Sequence, residues 1–190
     1  MRTKSRCAWV TADPLYIKYH DTEWGRPVYD DRVLFEFLIL EGAQAGLNWL
    51  TVLKKRENYR QCFSNFNPEL IAKYDTHKLA ELINNPGIIR NKLKIQSAIT
   101  NAQIFLKIQK EYKSFSSYLW NFVDNKPVKN NWKSIKQVPA TSDISDKLSK
   151  DLKKRGFKFV GSTICYAYMQ AIGMVNDHAV DCFVALKSTH

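Results

Sequence analysis

Apolar residues recur at helical spacing along most of the chain. "DRVLFEFLILEGAQ" (31–44) is apolar with helix-compatible spacing. "NWLTVLKKRENYRQCF" (48–63) follows it, with Asn48 placed as an N-cap. "NPELIAKY" (67–74) opens with Asn67 as N-cap and Pro68 at the first helical position, where a missing N–H costs nothing. "THKLAELINN" (76–85) is short and amphipathic. After "PGIIRNK" a long helix runs through "LKIQSAITNAQIFLKIQKEY" (93–112), and "SFSSYLWNFV" (114–123) makes another short one. "NKPVKNNWKSIKQVPATS" (125–142) is polar and proline-bearing and reads as a connector. "SDISDKLSKDLKKRG" (142–156) is a helix ended by Gly156, and "VGSTICYAYMQAIG" (160–173) a buried helix ended by Gly173. Strand alternation, repeats and low-complexity segments are absent. The pattern predicts an all-α chain, and 190 residues can enclose one sizeable core.

Composition narrows the class. At 45% hydrophobic and 25% charged the chain is ordinary for a soluble globular protein, and no apolar run reaches membrane-spanning length. "MRTKSRCAWV" carries no apolar stretch of signal-peptide type, so a cytoplasmic protein is expected. In that compartment the four cysteines are thiols or ligands rather than disulfides, with Cys62 and Cys165 read as core. The formal net charge of +11 suggests a polyanionic partner, nucleic acid above all; a merely solvated surface is the plain alternative. The basic residues cluster at Lys54-Lys55-Arg56, at Arg90, Lys92 and Lys94, and in "KKRGFK" (153–158).

The middle cluster borders "LAELINNPGIIRNKLKIQSAI", two helices around a tight turn with Pro86 and Gly87, spanning about 76–110. Backbone N–H groups at such a turn, backed by the next helix's N-terminus, can hold a phosphate. This is a helix-hairpin-helix pattern, and Gly87, Arg90, Lys92 and Lys94 are its candidate DNA contacts. An ordinary helix–helix turn would share the glycine.

Two further sets carry candidate chemistry. Cys7 and His20 near one end, with His178 and Cys182 near the other, make a Cys2His2 set suited to tetrahedral Zn2+. The i, i+4 spacing of His178 and Cys182 would put both on one face of a helix. Buried, inert cysteines and histidines are the alternative. The other set is aromatic: Trp9, Tyr16, Tyr19 and Trp24 in a loop-like region, then Trp49. They can pack a small core or build walls on which a flat, cationic ring stacks. Glu41, at the end of the apolar run "LFEFLIL", is either rotated to solvent or a desolvated acceptor on the floor of an aromatic pocket. Spacing does not separate these.

At these residues the chain resembles a known family. "DPLYIKYHDTEWG", "LEGAQAGLNWLTVLKKRENYRQCF", "PGIIRNKLKIQ" and "LKKRGFKFVGSTICYAYMQAIGMVNDH" look like the bacterial 3-methyladenine DNA glycosylase I family, from Cys7 to Cys182. The resemblance implies a single all-helical unit over 1–190, a helix-hairpin-helix DNA glycosylase. In it one structural zinc, held by Cys7, His20, His178 and Cys182, clasps segment 1–30 to segment 174–190. It implies hydrolysis of the N-glycosidic bond of 3-methyladenine in double-stranded alkylated DNA, with the free base as product and an abasic site left behind. The implied base pocket is Tyr16, Glu41 and Trp49, with Trp9, Tyr19 and Trp24 nearby. Glu41 binds and selects the base; a direct chemical role for it is less secure. Leu47, beside the pocket motif, either fills the gap left by the flipped base or packs within the helix. No Asp lies between Asp75 and Asp124, matching the family's lack of the catalytic aspartate used by related scaffolds. Leu93 stands where glycine is common in the family, which bears on hairpin geometry, and Ala43 where glutamine is common. A monomer acting at the nucleoid suffices. The rivals are a zinc-clasped DNA-binding module without chemistry and a zinc hydrolase, which four protein ligands argue against because no coordination position stays open.

Overall fold

The computed structural model describes residues 4–187. Residues 1–3 and 188–190, parts of the two end segments expected to be clasped, lie outside the described residues. Among those described there are eleven α-helices and one pair of two-residue strands.

The central helix is α2 (Asp31–Gln44). Asp30 caps it by accepting from the Val33 N–H at 3.0 Å, and every residue from Leu34 to Ala43 is buried. Such all-round burial requires neighbours on each side. Helices α3 (Trp49–Leu53), α7 (Lys92–Tyr112), α8 (Phe115–Trp120) and α10 (Ser162–Ala171) supply them. Each fully buried Leu or Phe here is worth roughly 1.5–3 kcal/mol over an exposed one. The 21-residue α7 starts at Asn91, whose side chain accepts from the Lys94 N–H, and buries Ile95, Ala98, Ala102, Phe105 and Ile108 along one stripe. Before it come α4 (Arg56–Cys62), α5 (Pro68–Ile71) and α6 (Thr76–Asn84); α9 (Asp143–Arg155) ends at Gly156, which adopts φ +101°. No described helix is long and apolar enough to cross a membrane.

Three local expectations need correction. The aromatic N-terminal region is not mainly loop: Asp13 caps α1 (Pro14–Thr22), with Pro14 at its first position. The 48–63 stretch is two helices, α3 and α4, with Lys54 and Lys55 between them. The connector 125–142 is pinned to the chain's end by β1 (Val128–Lys129) pairing in parallel with β2 (Val175–Asn176), which are too short to leave an alternating pattern. A last short helix, α11 (Phe183–Lys187), follows. The N-terminal segment crosses this end closely. Gly173, at φ +71°, has the Arg26 backbone where its Cβ would stand, at 2.1 Å.

Candidate active site and metal centre

Between α1, the end of α2, the start of α3, α10 and the connector lies a cavity of about 290 Å3. That is near the lower end of small-molecule sites, roughly 300–1,000 Å3. Its walls are the aromatic set. The Trp9 ring lies 4.9 Å from Tyr16 and 5.0 Å from Trp24, and Tyr19 lies 5.5 Å from Trp49. Asn48 caps α3 by accepting from Leu50, which fixes Trp49 at the first helical position. Glu41, on the last turn of α2, is 2% exposed. Burial pushes its carboxyl up to about 8. The same burial, aided by the Glu41 charge, raises the Tyr16 and Tyr19 hydroxyls above their usual range.

Two buried side-chain polar atoms have no hydrogen-bond partner among the described residues: Glu41 Oε2 and Trp49 Nε1. Both residues line this cavity. An acceptor and a donor left unpaired cost about 1–3 kcal/mol each unless a ligand satisfies them. Leu47 stands between them in sequence, 42% exposed, on the turn made by Gly46 at φ +76°.

Cys7, His20, His178 and Cys182 converge, all buried, with their ligand atoms within 4.8 Å of one another. His20 presents Nε2 to Cys182 Sγ at 3.5 Å, and His178 presents Nδ1 to both sulfurs at 3.5 Å. The opposite ring nitrogens are fixed. His20 Nδ1 donates to Asp21 Oδ1 at 2.8 Å, and Asp21 is itself held by two bonds from Arg6; His178 Nε2 donates to the Trp24 carbonyl at 3.1 Å. Each imidazole thus turns a lone pair toward the two thiols, the arrangement that orients histidine ligands. The four can hold a metal ion. The i, i+4 pair His178 and Cys182 is not helical, contrary to expectation. A turn closes it, with the Cys182 N–H donating to the Ala179 carbonyl at 2.8 Å.

The hairpin joins α6 to α7. The Gly87 N–H donates to Asn85 Oδ1 at 2.7 Å and the Ile89 N–H to the Tyr59 hydroxyl at 3.1 Å, while Lys55 Nζ donates to the Pro86 carbonyl. A Cβ on Gly87 would meet Asn85 Oδ1 at 2.9 Å and Asn58 Cγ at 3.0 Å, so a larger residue there would have to displace these two side chains. Arg90 and Lys92 are exposed, and Leu93 is 66% exposed. Lys94 points the other way. Its Nζ donates to the Ala43 and Ala45 carbonyls, and burial lowers its affinity for a proton. The other basic clusters are also partly engaged: Lys54 pairs with Asp13, Arg56 with Glu23, and Arg155 with Glu111 and Asp151.

Residues 9–185 match the model of the methyladenine glycosylase family. The chain belongs to that family. It is 51% identical over 177 residues to DNA-3-methyladenine glycosylase 1 of Escherichia coli (strain K12), covering 93% of this chain and 95% of that protein. A crystal structure of 3-methyladenine DNA glycosylase I shares its fold with a TM-score of 0.92 and 53% identity, over 94% of this chain and 98% of that one. A substituted form of the same kind of enzyme, in complex with 3-methyladenine, gives 0.91 and 38% over 94% and 96%.

In this methyladenine glycosylase the sequence reading missed more than half of the cavity. Ile135, Val138, Pro139 and Ala140 of the connector, Tyr166 and Gln170 of α10, and Asp177 all line it. Only Asp177 left a signal, as a carboxylate directly before His178.

Proposed function

We propose that the chain is a monofunctional DNA glycosylase that releases 3-methyladenine from alkylated duplex DNA. The observation that carries this is the aromatic-walled cavity in which the buried Glu41 Oε2 and Trp49 Nε1 lack partners, in a chain of this family. Methylation at N3 makes the base cationic. It is then weakly paired, costs less to extrude, and leaves more readily. The flipped base stacks against Trp49 with Tyr16 lining the pocket and Trp9, Tyr19 and Trp24 behind them. Glu41 accepts from N–H groups on its polar edge; a base without that donor leaves a buried carboxylate unpaired. The glycosidic bond breaks with its electron pair returning to the ring, which leaves as the neutral base. Water adds to the sugar C1′ and sheds a proton to solvent.

Leu47, exposed at the rim, fills the gap left in the duplex. The hairpin seats on the phosphate backbone through Arg90, Lys92 and the Lys92 and Leu93 N–H groups at the start of α7, the Lys94 N–H being taken by Asn91. Gly87 leaves room for the Asn85 and Asn58 side chains against the turn.

The metal is read as one structural Zn2+ on Cys7, His20, His178 and Cys182. Zinc–sulfur and zinc–nitrogen bonds of about 2.3 and 2.05 Å at a tetrahedral angle separate N from S by about 3.5 Å. That is the separation between each histidine nitrogen and its sulfur neighbours. When bound, the ion closes the N-terminal segment over the helical body.

Purified, zinc-loaded protein incubated with methylated duplex DNA is expected to release 3-methyladenine, measured by chromatography. Glu41→Ala and Trp49→Ala should lose that release while keeping fold and metal. No release by the wild type would leave a zinc-clasped DNA-binding module instead.

A further inference from the structure

The cavity contains a second carboxylate that the proposed chemistry does not use. Asp177 is 3% exposed. Tyr166 and Gln170 donate to its Oδ2 at 2.6 and 2.7 Å, and Asn130 and Trp132 donate to its Oδ1 at 2.7 and 2.8 Å. Four donors on two oxygens is the pattern of an ionised, acceptor-only carboxylate. No ion pair to it occurs among the described residues. The residues lining the cavity include Glu41 and Asp177 and not one Lys, Arg or His. A chain of formal net charge +11 thus lines this cavity with two carboxyl groups and no basic side chain.

We infer that Asp177 is a specificity-determining residue whose fixed negative charge makes the cavity prefer a cationic base over a neutral one. This rests on the reading of the cavity as the site of an N3-alkylated base. Such a base is cationic while attached to the sugar. As the bond breaks, positive charge passes to the sugar and the released base is neutral. Any cation at the site, bound substrate or transition state, is favoured by the charge; the product is not. A carboxylate held by four donors supplies this field without having to reorganise. Asp177 therefore acts on capture and on product release at once.

Asp177→Asn separates charge from packing. Its Oδ1 can accept from Asn130 and Trp132 as before. Its new N–H groups can donate to the Tyr166 hydroxyl and to the Gln170 amide oxygen after a flip, since both groups can accept. The variant is expected to keep its metal content and to bind free, neutral 3-methyladenine as the wild type does, by calorimetry at pH 8. Its kcat/KM on methylated duplex DNA is expected to fall roughly tenfold or more, as removal of a charge several ångströms away at a moderate dielectric implies. Parallel losses in both measurements would reduce Asp177 to a structural part, and no loss in either would also overturn the inference. A wild type that releases no base would instead overturn the reading beneath it.

A second variant serves if Asp177→Asn does not fold. In Glu41→Gln the remaining cavity charge is Asp177. The 3,9-dimethyladeninium cation should then still bind at least about threefold more tightly than neutral 9-methyladenine. The aromatic walls add to that preference, so equal affinities would overturn the inference.

Discussion

The ammonium of Lys94 donates to the carbonyl of Ala45 at 2.6 Å, tying the first turn of the hairpin's second helix to the segment that follows Glu41. A second bond reaches the Ala43 carbonyl at 2.9 Å. A cation there satisfies carbonyls at a helix C-terminus and complements its dipole. The hairpin and the floor of the cavity are thus tied directly to each other.

Lys94→Met keeps the alkyl stem and removes both bonds. Denaturant unfolding is expected to show a loss of about 1–3 kcal/mol. The slope of log affinity against log salt for duplex DNA should not change, whereas Lys92→Ala should lower it by about one. An equal slope change in Lys94→Met would mean that Lys94 reaches a phosphate after all.

Glu41 ties stability to pH. Its folded carboxyl titrates near 8, against 4.5 when unperturbed. Between those values the folded chain keeps a proton that the unfolded chain has lost. Stability therefore falls as pH rises through this window, by on the order of a few kcal/mol, and levels off above it. Glu41→Gln should remove that fall, which thermal melts from pH 5 to 9 will show. Base binding through the carboxylate should expel a proton near pH 7, seen as binding heats that change with the ionisation enthalpy of the buffer. Buffer-independent heats would count against the carboxylate as the binding form.

Asp21 holds His20 in the tautomer that the metal site needs. Asp21→Asn is expected to weaken metal binding about 10–100-fold in a chelator competition while leaving the four ligands in place. Stripping the metal altogether should lower the melting temperature by several degrees or more. A folded but inactive metal-free protein would point to a catalytic ion.

Gly173→Ala places a methyl on the Arg26 backbone and strains a positive φ. A loss of about 3 kcal/mol or more is expected, larger than for most single substitutions. Gly161→Ala is the control. Its Cβ meets nothing within 4 Å, so the loss should be limited to that of replacing glycine at the N-cap of α10, about 1 kcal/mol or less.

The helices were legible where capping residues bound an apolar run. Asn67-Pro68, Asn48 and Gly156 do at the termini what their chemistry predicts. Asp13-Pro14 is the same kind of start signal, obscured by the aromatics after it, which resemble loop filler until their cavity is known. Lys94 shows what spacing cannot convey. A lysine two positions from Lys92 lies on a different side of the helix, and its direction depends on carbonyls 49 and 51 residues away. The connector was illegible for a related reason. Its side chains form a wall only because Asn130 and Trp132 reach Asp177, more than 40 residues later.

The cavity draws on Trp9 near one end of the chain and Asp177 near the other, and the metal cluster joins Cys7 to His178 across 171 positions. Contacts of such sequence separation form late. On the ribosome, the hairpin at 76–112 is complete while the partners of the first thirty residues have still to be made. The cavity and the metal cluster are therefore completed only once residues 177–182 have been made.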